Sequence, residues 1–231
     1  MLAVTPSFSF LLFICLLAIF GGSLGTFLLL VRRWTTRRQW LSLSDWAGEH
    51  RMRVAKRAIT DLPPPIDQLR QLGQNPRVRL RLEGVGPRAG TVIVQFETGT
   101  RFNDDATSDF PSERGASANP HGVWNVLIRR FPDGRSRVPA GLRPAHATGS
   151  VVDFFPLTQF NSVSNDRFGI VSIDGKTANR LAKTSARALL PQDVGMLLYG
   201  EHLVLDFSAR PFDPTELDRL LAVADQVATV V

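Results

Sequence analysis

The sequence predicts an α+β fold carried behind a membrane anchor, and three observations lead there. Residues 1–31 contain no charged side chain. Strand-like alternation recurs at 77–82, 91–97, 123–130 and 167–173, while amphipathic helical patterns come only in the last third of the chain. Strands that precede helices, instead of alternating with them, argue for antiparallel hairpins and not for a doubly wound sheet.

The first segment is read from its length and its flanks. Its apolar core, 8–31 (FSFLLFICLLAIFGGSLGTFLLLV), has 24 residues. As a helix it would extend about 36 Å, against a hydrocarbon thickness of roughly 30 Å. A cleaved leader would show a basic start, a shorter apolar stretch and a small-residue cleavage site; arginines follow the apolar run here, so residues 1–31 are expected to form an uncleaved membrane anchor with its transmembrane helix at about 8–31. Arg32, Arg33, Arg37 and Arg38 lie directly after the span and no cation lies before it, which predicts a C-terminal side in the cytoplasm. Trp34 and Trp40 complete the expected interface set, since amphipathic rings settle at head-group depth. Ala18, Gly21, Gly22 and Gly25 form a small-residue stripe through which two such helices can approach, a possible contact of the chain with itself.

Charge is concentrated next to the span. Residues 32–57 hold eight of the 27 basic and two of the 21 acidic residues, leaving 19 of each sign in residues 58–231. The formal charge of +6 therefore describes a juxtamembrane collar that also suits anionic head groups. A nucleic-acid partner is not expected, because the domain itself is neutral. Arginine outnumbers lysine 24 to 3, the coding bias of a GC-rich genome, which suggests a bacterial source and thus an inner (plasma) membrane location.

Within the collar, Ser44 is positioned to cap a short helix over 45–50. Leu62-Pro63-Pro64-Pro65 reads as a stiff spacer, and 66–72 as one or two helical turns. In 77–82 (RVRLRL) every second residue is apolar, and 91–97 (TVIVQFE) joins it in a hairpin through Gly84–Gly90. Segments 98–122 and 131–150, separated by the strand 123–130, are rich in glycine, proline and polar residues and are expected to be long irregular loops. The first carries a net −2; residues 129–149 carry five arginines against Asp133, a net +4, so the two either pair, meet a partner or are simply solvated. A strand at 167–173, a turn at Asp174-Gly175 and a helix at 177–190 follow, then a hairpin of 196–199 with 203–207. The last helix is announced by Asp213, Pro214 and Glu216, the pattern of a capping box with proline at the first helical position.

Motifs that would name a chemistry do not survive inspection of their context. Gly21-Gly22-Ser23-Leu24-Gly25 matches a hydrolase elbow literally but lies in the apolar span. Gly84-x-Gly86-x-x-x-Gly90 precedes a strand where a dinucleotide loop needs a helix, and Gly175-Lys176-Thr177 lacks the glycine five positions earlier that a phosphate loop needs. One cysteine excludes a disulfide framework. No cofactor, metal or catalytic residue is assigned. Asp153 and Asp206 are expected on exposed strand faces.

The reading that follows is a single-pass protein whose cytoplasmic domain, from residue 58 to 231, serves as a non-enzymatic protein-interaction or scaffolding module, its protein partner unknown. The alternative is a membrane-bound hydrolase or metal-dependent enzyme with a site at Asp104, Asp105, Asp109, His121 and His146, where oxygen ligands and imidazoles share the irregular segments.

Overall fold

A computed structural model of the chain describes residues 41–55, 62–70, 76–98, 122–131, 133–147, 149–160 and 167–231. It divides at residue 45 into an N-terminal unit and a main unit, 46–231. The expected span 8–31, with Ala18, Gly21, Gly22 and Gly25, and the interface residues Arg32 to Trp40 lie outside the described residues. Among the described residues no helix is long and apolar enough to cross a membrane.

Among the described residues the fold is α+β: one nine-stranded antiparallel sheet with four helices. Helix α1 covers 41–49; the strands are β1 (Met52–Val54), β2 (Pro76–Gly84), β3 (Thr91–Thr98), β4 (Val123–Arg130), β5 (Arg137–Pro144), β6 (Thr158–Phe160), β7 (Phe168–Ser172), β8 (Gly195–Gly200) and β9 (His202–Asp206). Helices α2 (Gly175–Lys183), α3 (Ala186–Leu189) and α4 (Pro214–Val230) come late, as expected. The spatial order is β1-β2-β3-β4-β9-β8-β5-β7-β6. The last hairpin, β8–β9, thus inserts between β4 and β5 and joins two blocks of strands that sequence order separates.

Strand parity assigns the two faces. Val94 and Phe96 of β3, Trp124, Val126 and Ile128 of β4, Val204 of β9 and Leu197 of β8 share one core with Leu62, Ile66, Leu69, Val151, Val152 and Phe155. This face is covered by two 3-10 turns, Ile66–Arg70 and Val151–Phe154. Ile93, Leu127, Leu203 and Leu205 have the opposite parity, on the face where α4 packs against β4 and β9. Along α4, Leu217, Leu220, Leu221, Ala224 and Val227 are buried, the stripe its sequence period requires. The Asp213 side chain accepts from the Glu216 backbone N–H at 2.9 Å, and Pro214 opens the helix.

Five expectations are corrected. Residues 137–144 lie inside the segment expected to be irregular, yet they form β5, paired with both β7 and β8. Pro139 is tolerated because the register shifts between Arg137 and Ala140, a bulge where no ladder donor is needed, and Pro144 falls at the strand end. Gly141 is required because a Cβ there would lie 2.6 Å from the Met196 carbonyl oxygen. The helix expected over 177–190 is two helices, α2 and α3, broken where Thr184 takes an extended backbone. Residues 62–65 are no free spacer: Leu62, Pro63 and Pro65 are buried, with Leu62, Ile66 and Leu69 forming one apolar stripe on the sheet. Ser44 lies within α1, not at its start. Asp206 points inward and is buried, since its register partner is the core residue Val126.

Candidate functional site

Several polar groups in this domain tie one element to another, and one set of them lies in a cleft. Asp206, at the end of β9, is the buried one. One of its carboxylate oxygens accepts from the Ser150 hydroxyl and the Val151 amide, both at 2.7 Å; the other accepts from the Ser208 hydroxyl at 2.5 Å and the Ser208 amide at 3.1 Å. Ser150 also caps the turn Val151–Phe154, so Asp206 fastens that turn to the sheet. Burial pushes the Asp206 carboxyl above the ordinary carboxylate range, and the four donors oppose the shift. Near the start of α4, Arg210 forks onto Asp193 at 2.6 and 2.9 Å and reaches Glu216 at 2.5 Å. The end of α1 is latched to α4 through the indole N–H of Trp46, which donates to Asp218 at 2.7 Å, while His50 stacks on Trp46 and meets the same carboxylate.

The cleft, about 610 Å³, opens where the β2–β3 hairpin meets the end of β4 and the middle of α4. Pro87, Arg88, Thr91, Arg129, Phe131 and Asp225 line it. Gly84 fixes the hairpin's shape: a Cβ there would sit 2.0 Å from the Arg88 carbonyl oxygen, so only glycine lets the turn Gly86–Arg88 fold this closely. The turn presents Arg88, whose Nη1 donates to both oxygens of Asp225 at 3.1 and 3.3 Å. Arg129, paired across the strands with Thr91, forms an ion pair with the same carboxylate. Burial, and the like charge of Arg88 beside it, hold the Arg129 guanidinium below its usual range. Two cations thus share one anion. Arg130 also borders the cleft but turns its guanidinium to Glu201, at 2.6 and 2.8 Å. Below, Arg137 stacks 3.5 Å over the buried Phe131 ring and forks onto Asp133 at 3.1 and 3.2 Å.

Four of the five arginines of 129–149 have carboxylate partners in the described residues. Arg129, Arg130, Arg137 and Arg143 take Asp225, Glu201, Asp133 and Asp153 as partners, so none of these four pairs uses the acidic segment 98–122. Asp153 also accepts from the Ser150 amide at 2.9 Å, closing the capping box of its own turn. Gly175-Lys176-Thr177 opens α2, and its first turn is occupied by an acid: Asp174 accepts from the Thr177 amide at 2.7 Å, which lowers the Asp174 carboxyl. Of the alternative enzyme site, Asp104, Asp105, Asp109 and His121 lie outside the described residues, and His146 is exposed after β5. Among the described residues no cluster of three or more His, Cys, Asp or Glu side chains is spaced to hold a metal. Trp46 and Trp124 are buried, and the Trp124 indole donates to the Thr98 hydroxyl at 3.1 Å.

Sequence reasoning did not find the cleft. Arg88 and Asp225 are 137 positions apart, and no spacing rule joins them. Comparison with protein-family models, with curated proteins and with solved structures finds no match for this chain.

Proposed function

We propose that this is a single-pass inner-membrane protein of a bacterium, with its span at 8–31 and its α+β domain in the cytoplasm, and that the domain is a binding module without catalysis of its own. The observation that carries the tether is the charge pattern: 31 residues without a charge, a 24-residue apolar run, then four arginines within seven residues. Arg32, Arg33, Arg37 and Arg38 with Trp34 and Trp40 then meet the lipid head groups, and Ala18, Gly21, Gly22 and Gly25 offer a helix-helix contact. Support for the binding reading comes from the described polar side chains. The carboxylates Asp206 and Asp225 each hold two elements together, Glu216 ties Arg210 to the start of α4, and the Arg88–Arg129 cleft leaves paired charge open to a ligand.

Two experiments test this. Alkaline carbonate extraction of membranes expressing the full chain is expected to leave it in the pellet; release into the supernatant would contradict an integral span. Thermal unfolding with and without divalent ions is expected to show the same midpoint. A metal-dependent rise abolished by replacing Asp104, Asp105 and Asp109 with asparagine would instead favour the enzyme reading.

A further inference from the structure

The cleft at the β2–β3 hairpin holds an excess of positive charge that its own carboxylate does not balance. Its lining carries Arg88, Arg129 and Arg130 against Asp225, and Glu201 beyond the rim takes the guanidinium of Arg130. That leaves Arg88 and Arg129 dividing Asp225 between them. A guanidinium offers five N–H donors in a planar fork, whereas one carboxylate accepts at about four positions, so donors remain at the mouth. Both guanidiniums are about one-quarter to one-third exposed, so they are reachable without being freely hydrated. A volume of about 610 Å³ falls within the range of small-molecule sites and far exceeds what a bare ion needs.

We propose that the cleft binds a phosphate ester, with the forks of Arg88 and Arg129 on the phosphate oxygens and the esterified group along Pro87 and Ala89. The proposal rests on the reading of the domain as a binding module and names its ligand class. Paired guanidiniums suit the tetrahedral oxygens of phosphate, and the net +1 that Arg88 and Arg129 keep over Asp225 attracts an anion. Asp225 then acts as a stand-in anion: it holds the two arginines in place when the cleft is empty and competes with the incoming phosphate.

The same phosphate can arrive free or on a lipid, and one experiment separates the sources. The full chain is placed in nanodiscs of neutral phosphatidylcholine, and backbone hydrogen exchange at 84–91 and 129–134 is followed with glycerol 3-phosphate in solution or with phosphatidic acid in the disc. Slowed exchange with the soluble probe assigns a free phosphate ester; slowing only with phosphatidic acid assigns a head group; either supports the site. Arg88→Gln is expected to weaken the response about tenfold or more, the loss of a charge-assisted pair. Asp225→Asn, which keeps both arginines, is expected to strengthen it severalfold, so the idea stays testable even if an arginine variant folds poorly. No slowing with either probe, or the same response in wild type and Asp225→Asn, would overturn the proposal. A chain that resists carbonate extraction yet ignores both probes loses its ligand and keeps its tether.

Discussion

The two faces of the sheet are fastened by carboxylates of opposite character. On one face Asp206 is 5% exposed and satisfied by four neutral donors from a turn and from its own strand end. On the other, the Asp225 side chain is 41% exposed and satisfied by two guanidiniums from a hairpin and a strand. Burial makes the first latch costly to break, because every orphaned donor loses water as well as its partner. Exposure makes the second cheap to break, because water and salt can replace either charge. Stability therefore rests more on the buried latch with its neutral donors than on the charged, open one, whose pairs can be exchanged at little cost.

The strongest way to break this comparison is Asp206→Ala. It strands four donors, and urea unfolding should show a loss of about 3 kcal/mol, with a smaller loss in Asp206→Asn. Next in size is Gly84→Ala, which forces the hairpin off the Arg88 carbonyl; about 2 kcal/mol should be lost, together with the exchange protection of 84–91. The pH dependence sharpens the contrast. Because burial raises the Asp206 carboxyl above 3.8, the folded chain retains a proton that the unfolded chain has released. Its contribution is therefore complete below 3.8 and is lost as pH rises through the folded value. Asp206→Asn should flatten that limb of the stability profile. His202 runs the other way: burial, with Arg130 nearby, depresses it below 6.5, so its contribution is present above that value and lost on acidification through the folded value. His202→Gln should remove that smaller slope. The smallest effect belongs to Asp225→Asn, under about 1 kcal/mol in urea unfolding, a surface pair's worth. A loss as large as that of Asp206→Ala would end the distinction between the two latches.

Much of the fold was legible because local rules agree with the tertiary ones. The alternation RVRLRL became β2, and Asp213-Pro214-x-Glu216 opened α4 with the expected cap. What escaped was non-local. Strand β5 carries two prolines and a glycine that only a bulge, a strand end and a close Met196 carbonyl explain. Asp206 in LVLDF reads as an exposed carboxylate until the register places it against Val126, where Ser150 and Ser208 converge on it. For the cleft, the hairpin glycines were visible and their partner on α4 was not. The arginines of 129–149 registered only as net charge, since a sequence shows how many cations a segment carries and not which acids face them.

Protease access to the C-terminus decides whether the domain is held on the cytoplasmic face of a membrane, as proposed. The full chain, expressed in a bacterium, is treated in spheroplasts and in inverted membrane vesicles. Protection in spheroplasts with cleavage in inverted vesicles is the expected result. Cleavage in intact spheroplasts would place the domain outside, make the four arginines an exception to the charge rule, and contradict the account.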